Sequence, residues 1–390
     1  MKIARSLLGL ACGLALALQS TGTSWAKAPP ANPCAQIAAQ LQQVAREAEI
    51  SAPPSVGCEV LAEAEFATYH HQLAQALGLD LNLHSDSKIL TALFIVPESY
   101  PYAECVVQAS ASGALALYDP LAKKLVIKEN SNISELVILH ELVHALQDEM
   151  LELRSYAHDP KLSFDQIMVR TALLEGHAIV ISEALSSDKA GSSSEAPSAV
   201  VDSRCTPPKA LATLFDYPYD FGTIVARRSR SGGGNAAIKK LLMRPPNSLL
   251  DLITGASNPV ATLPRKHDSS ACRQDTLGIA LVQTIAKLVL NREDSLRIAR
   301  RWVSDDVRVC LAKSGDEDSV WRVTWESEWQ RESDAASFFQ LLRRLIEREY
   351  QTSLNPDARY LVFSNSEGLQ FTLRQTGLRV QFETQSSEII

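Results

Sequence analysis

The chain has 390 residues and carries no long basic block, no Cys-x-x-Cys pair and no repeat of fixed period. With a formal net charge of −7, the missing basic block argues against nucleic acid or any other anionic partner. The missing Cys-x-x-Cys argues against a cysteine zinc site, and the missing period argues against a solenoid or propeller. The apolar stretch from Leu7 to Leu18 is shorter than the roughly 20 residues that cross a bilayer. No stable membrane span is therefore expected in the mature chain. What remains is a composition that is 46% hydrophobic, enough to bury a core and fill about two or three domains.

Residues 1–26 read as a signal peptide. Lys2 and Arg5 precede the apolar stretch, and Ser24-Trp25-Ala26 is a small-x-small cleavage site. Anchoring as a lipoprotein through Cys12 is the weaker reading, because Gly9 stands where a lipobox wants a bulky aliphatic residue. The expected location is thus periplasmic or extracellular. Cleavage leaves Cys34, Cys58, Cys105, Cys205, Cys272 and Cys310, an even set that suggests disulfides in an exported chain. Cys34 with Cys58 makes a reasonable local pair.

The expected fold class is α+β and mostly helical. Residues 27–85 form an N-terminal helical segment, either a pro-segment or part of the fold, with helices over 34–49 and 59–77. Residues 86–310 form the main domain and 311–390 a small α+β unit. Ile89 to Val96 is apolar and β-branched and reads as a buried strand. Ala114 to Tyr118 and Lys124 to Lys128 flank the turn signal Asp119-Pro120 and read as a hairpin. Asn132 and Glu135 form a capping pair ahead of a helix reaching about Met150. Ser163 and Gln166 do the same for a helix reaching about Leu185. Residues 186–204, rich in Ser, Ala, Gly and Asp, read as a flexible loop. Gly232 to Gly234 mark a turn before a short helix at 236–243. Further helices are expected at 249–253, 277–290, 294–303 and 333–348, and strands at 320–325, 360–363, 369–373 and 378–382.

The chemistry concentrates in His140-Glu141-Leu142-Val143-His144. Residues four apart share a helix face, so the two imidazoles can reach one metal, with Glu141 turned aside as a general base. Neutral imidazoles with an open position for water suit Zn2+. The flanking residues are apolar, so His and Glu there would be costly unless paired or metal-bound. Glu175, in an apolar stretch from Ala172 to Ile181, is the expected third ligand. The glycine after it, Gly176, suggests a close approach to the first helix. His177 is the rival ligand, but it points away from Glu175 on a helix and reads better as a supporting residue.

His140-Glu141-Leu142-Val143-His144-Ala145-Leu146-Gln147-Asp148, followed by Leu174-Glu175-Gly176-His177-Ala178, resembles exported bacterial zinc metallopeptidases of the gluzincin type. Softer likenesses lie in Tyr217 to Gly222, Pro245 to Ser248, Ala299 to Asp306 and Asp334 to Phe338. The resemblance spans about residues 86–350. It implies a zincin-like fold, in which a twisted sheet precedes the metal-binding helix and a later helix supplies an acid. It also implies His140, His144 and Glu175 as metal ligands and Glu141 as base. Two positions depart from that pattern. His177 stands where an acid is usual, and Ile179 stands where other gluzincins often have Asp.

The expected activity is hydrolysis of peptide bonds in a peptide or protein substrate, by a zinc-bound water that Glu141 activates. Tyr219 is the preferred donor to the developing oxyanion, ahead of Tyr217, His158 and Arg170. By fold analogy, the strand near Ala114 to Tyr118 could bind an extended peptide along its edge. Competing readings are a zincin-like binding protein without catalysis, a zinc hydrolase of non-peptide amides or esters, and a helical binding protein with an accidental motif.

Overall fold

The computed structural model describes residues 32–79, 82–129, 133–159, 161–186, 203–255, 272–314, 318–365 and 368–386. The expected signal peptide with Cys12, the capping residue Asn132 and most of the expected 186–204 loop lie outside the described residues. In chain order the helices are α1 (Ile37–Glu47), α2 (Glu63–Leu77), α3 (Leu83–Ala92), α4 (Tyr102–Gly113), α5 (Glu135–Leu151), α6 (Leu153–His158), α7 (Phe164–Leu185), α8 (Lys209–Met243), α9 (Leu249–Thr254), α10 (Gly278–Lys287), α11 (Arg292–Ala299) and α12 (Glu332–Glu349). The strands are β1 (Gly57–Leu61), β2 (Ala116–Asp119), β3 (Lys124–Lys128), β4 (Cys272–Asp275), β5 (Trp302–Ser314), β6 (Asp318–Trp329), β7 (Tyr360–Ser364), β8 (Leu369–Thr376) and β9 (Arg379–Ser386). The class is α+β and mostly helical, as expected. No described helix is long and apolar enough to cross a membrane.

The hairpin forms where Asp119-Pro120 placed it. Asp119 Oδ1 accepts from the backbone N–H groups of Leu121 and Ala122 (2.7 and 3.0 Å), which closes the turn between β2 and β3. β1 adds to the other edge of β3 in parallel, giving a three-stranded sheet in the order β1-β3-β2. This corrects the N-terminal segment: residues 59–61 are strand, and the helix starts only at Glu63. The reason is non-local. Gly57 to Leu61 hydrogen-bond to residues 124–128, and the Cys34–Cys58 disulfide holds them there. α1 buries Ile37, Leu41 and Val44 against Ile138, Leu142 and Leu146 of α5. The segment therefore shares a core with the helix that carries the metal motif.

Ile89 to Val96 is not a strand. It spans the end of α3 and a turn in which Phe94 takes a left-handed φ of 62°. A short apolar run buried on all sides has no period that separates strand from helix. Phe94 then packs among Tyr350, Phe371 and Phe382 of the C-terminal part.

That part is a six-stranded antiparallel sheet in the order β4-β5-β6-β9-β8-β7, with α12 laid on it so that Phe338 meets Trp325 and Trp329. The sheet starts before residue 311. Position 311 falls inside β5, Trp302 and Val303 open that strand rather than end a helix, and Cys272–Cys310 joins it to β4. Arg273 on β4, partly buried, pairs with Asp86 of α3 and with Asp275, and Asp275 accepts the N–H of Phe164 at the start of α7 (2.8 Å). The sheet thus anchors the first turn of the helix that bears Glu175. Asp305 of β5 accepts from Leu277 and Gly278 at the start of α10 (2.7 and 3.0 Å), while Asp165 lies against Gly278 and the Leu249 N–H.

α8 extends well ahead of the short helix expected at 236–243. Gly233 and Gly234 do interrupt it, the latter with φ of 66°. The third disulfide, Cys105–Cys205, ties α4 to the chain entering α8. Three disulfides are consistent with an exported protein.

Candidate metal centre

Leu139, Leu142, Val143 and Leu146 draw α5 into the core, so that the polar motif side chains are carried inside with them. The helix starts at Ser134, whose extended backbone (φ −76°, ψ 154°) caps it without a side-chain bond. α7 starts as expected: Ser163 Oγ accepts the Gln166 N–H (3.2 Å) and Gln166 Oε1 accepts the Ser163 N–H (3.0 Å).

The two helices bring the three expected ligands together. His140 Nε2 lies 3.1 Å from His144 Nε2 and 3.1 Å from Glu175 Oε2, and His144 Nε2 lies 3.7 Å from the same oxygen. The three residues are 8%, 4% and 1% exposed. Ligands at ~2.0–2.1 Å from a tetrahedral ion are about 3.3 Å from one another, which is the spacing of these three atoms. Glu175 Oε1 is buried and accepts no hydrogen bond from the described residues, an orphan acceptor that a cation would satisfy. This buried His140–His144–Glu175 group could hold a metal ion.

Its electrostatics fit that role. Burial alone would raise Glu175, but the charge of His144 and hydrogen bonds from both histidines outweigh it and hold the carboxyl below its usual range. Burial would likewise lower His144, and Glu175 reverses the sign and lifts it. Glu141, 3% exposed, is raised by burial, against the pull of His144 and His140.

Two contacts clamp α5 to the edge strand β2. Glu141 Oε2 accepts the backbone N–H of Tyr118 (2.9 Å), and Asp148 Oδ2 accepts the Tyr118 hydroxyl (2.9 Å). Lys123 also pairs with Asp148.

Gly176 is needed, but not for approach to α5. A Cβ on Gly176 would strike the backbone of Gly222, and a Cβ on Gly222 would strike the carbonyl of Ala172. The close crossing is therefore between α7 and α8. His177 is fully buried and lies outside the His140–His144–Glu175 group. Its Nδ1 lies 3.1 Å from Gln147 Nε2, and burial pushes its pKa down to about 3. Gln147 itself escaped the sequence reading. It is 0% exposed, its Nε2 donates to Leu174 O (2.8 Å), and its Oε1 lies 2.7 Å from His144 Nδ1. The available signal was an uncharged polar residue one turn after His144 on a dry helix face.

Of the expected oxyanion donors, Arg170 bonds to Tyr156 O and lies over the Tyr156 ring, Tyr217 stacks on Phe221, and His158 is buried at the end of α6. Tyr219 is half-buried on α8, one turn before Gly222. Comparison of the chain with models of known protein families, with curated proteins and with solved structures finds no match.

Proposed function

We propose that the protein is an exported zinc metallopeptidase with a zincin-like catalytic domain. One observation carries this reading: two imidazoles from α5 and one carboxylate from α7 converge at ligand spacing, buried, with Glu141 beside them. The His2Glu donor set is the one that catalytic zinc sites use while keeping a position open. A three-stranded sheet ahead of α5 supports the fold reading.

When bound, zinc would supply Lewis acidity toward water and toward a scissile carbonyl. His140, His144 and Glu175 would hold it. Glu141 takes the proton of the attacking water and delivers it to the leaving amine. Burial raises its affinity for a proton, the direction a general base needs. The Tyr118 N–H holds one of its oxygens (2.9 Å), which orients the carboxylate. Tyr219 is our choice for the side chain that donates to the developing oxyanion.

The test uses the full mature chain. About one zinc per chain by elemental analysis, with chelator-sensitive cleavage of a broad peptide library, is the expected result. Stoichiometric zinc with no peptide cleavage would point instead to a binding role or to a non-peptide amide or ester. Absence of zinc after loading would remove the reading.

A further inference from the structure

We propose that Gln147 is the positioning residue of this centre: its side-chain amide receives the Nδ1 proton of His144 and ties that histidine to the backbone beside Glu175. The purpose of the device rests on the metallopeptidase reading, whereas the hydrogen-bond assignment does not.

The assignment follows from what each atom can do. A side-chain amide can be built either way round, and only its neighbours fix the orientation. Here the Leu174 carbonyl decides, because it can only accept, so the nitrogen of Gln147 must face it (2.8 Å). The oxygen then faces His144 Nδ1 at 2.7 Å, and an amide oxygen can only accept. His144 must therefore carry a proton on Nδ1, and its Nε2 is the atom presented to His140 and Glu175. The second amide hydrogen of Gln147 reaches His177 Nδ1 (3.1 Å), which accepts it. Gln147 is completely buried, so water offers it no alternative partner.

The same side chain also bridges the two ligand-bearing helices. It starts on α5 and ends on the carbonyl of the residue immediately before Glu175. One amide thus selects which nitrogen of His144 faces the centre and fixes how far Glu175 stands from it. Hydrogen bonds of this kind behind a ligating histidine change metal affinity by about 10–100-fold.

The experiment compares the wild-type chain with Gln147→Met, which removes both functions, and Gln147→Glu, which keeps an acceptor for His144. Histidine-selective 15N labelling reads the Nδ1 proton of His144, with and without zinc, and competition with a chromophoric chelator reads zinc affinity. Melting temperature is followed in parallel. The wild type should show a hydrogen-bonded Nδ1–H in both states. Gln147→Met should lose that low-field proton and bind zinc about 10–100-fold more weakly. Gln147→Glu should recover the proton and most of the affinity, even though its second oxygen opposes the Leu174 carbonyl and lowers the melting temperature. A bare His144 Nδ1 in the wild type overturns the proposal, and so does a zinc affinity that follows melting temperature across the three proteins instead of following the acceptor. A wild-type chain that shows the proton but takes up no zinc supports the hydrogen-bond assignment and sinks the metallopeptidase reading alone.

Discussion

Gly176 and Gly222 touch backbone to backbone where α7 crosses α8, and neither position has room for a methyl group. The contact lies one residue from Glu175, so the packing of α8 sets the depth at which that carboxylate sits. Gly176→Ala should destabilise the protein by about 3 kcal/mol, because the obstacle is main chain and cannot rotate away. It should also weaken zinc binding by displacing α7. Gly232→Ala, at a helical position with open space around it, should be neutral or mildly stabilising. Urea unfolding of the three proteins checks the contrast, and equal midpoints would refute it.

Glu141→Gln should retain zinc and lower kcat/KM by about a thousandfold or more, since the amide can still accept the Tyr118 N–H but cannot take a proton. Elemental analysis and peptide cleavage on the same preparation check this. Full activity in the variant would remove Glu141 as base.

The identity of the third ligand predicts an ordering. Glu175→Ala takes away an oxygen that lies 3.1 Å from His140 Nε2, and it should empty the centre on dialysis. His177→Ala removes only one acceptor of Gln147, which keeps Leu174 O, and it should bind zinc within a few-fold of wild type. The reverse order of zinc content would move the ligand to His177.

Stability should depend on pH through the carboxyls around the start of α10. Burial pushes Asp305 up to about 7, and burial together with the nearby charge of Asp305 pushes Asp165 well above its ordinary value. A folded-state value above the unfolded one favours the protonated carboxyl in the fold. That contribution is complete below the unfolded value of about 4 and is lost as pH rises through about 7. Asp165→Asn keeps an acceptor for the Leu249 N–H and removes one charge. Its gain in melting temperature over wild type, measured with chelator present, should therefore widen from pH 5 to pH 8. A gain independent of pH would contradict this.

Deleting residues up to Leu61 should leave no folded protein, because it removes α1 from the core shared with α5 and strips β1 from β3. Loss of near-ultraviolet dichroism in the truncated chain is the expected signature. A stable, zinc-binding truncated chain would show that the segment is a removable pro-piece.

Features encoded over a few residues were legible in the sequence. The Ser163–Gln166 box, the turn at Asp119 and the i, i+4 histidines all depend on near neighbours, and each stands where it was expected. Glu175 was legible because an acid in a dry helix, read together with the paired histidines upstream, is a candidate to share their centre, and it does lie with them. Features that depend on distant partners were not. β1 looks like the start of a helix until residues 124–128 lie beside it. Ile89 to Val96 is buried on every side and so shows no period. β5 alternates buried Val307 and Val309 with exposed Arg308, the period of a strand. The tightness at Gly176 was legible but not its partner, because nothing local distinguishes α5 from α8 as the neighbour. Gln147 gains its role only once α5 and α7 are side by side.

The parallel seam between Gly57–Leu61 and Lys124–Lys128 has a bearing on how the chain is made. A hairpin can zip as soon as its turn leaves the ribosome, but β1 must wait for a mate encoded three helices and a strand later. Until then its ladder groups stay open to any passing extended chain, a known route to misassembly. Closure of this seam is therefore a natural candidate for the slow step in maturation, and Cys34–Cys58 would hold β1 close to α1 during the wait.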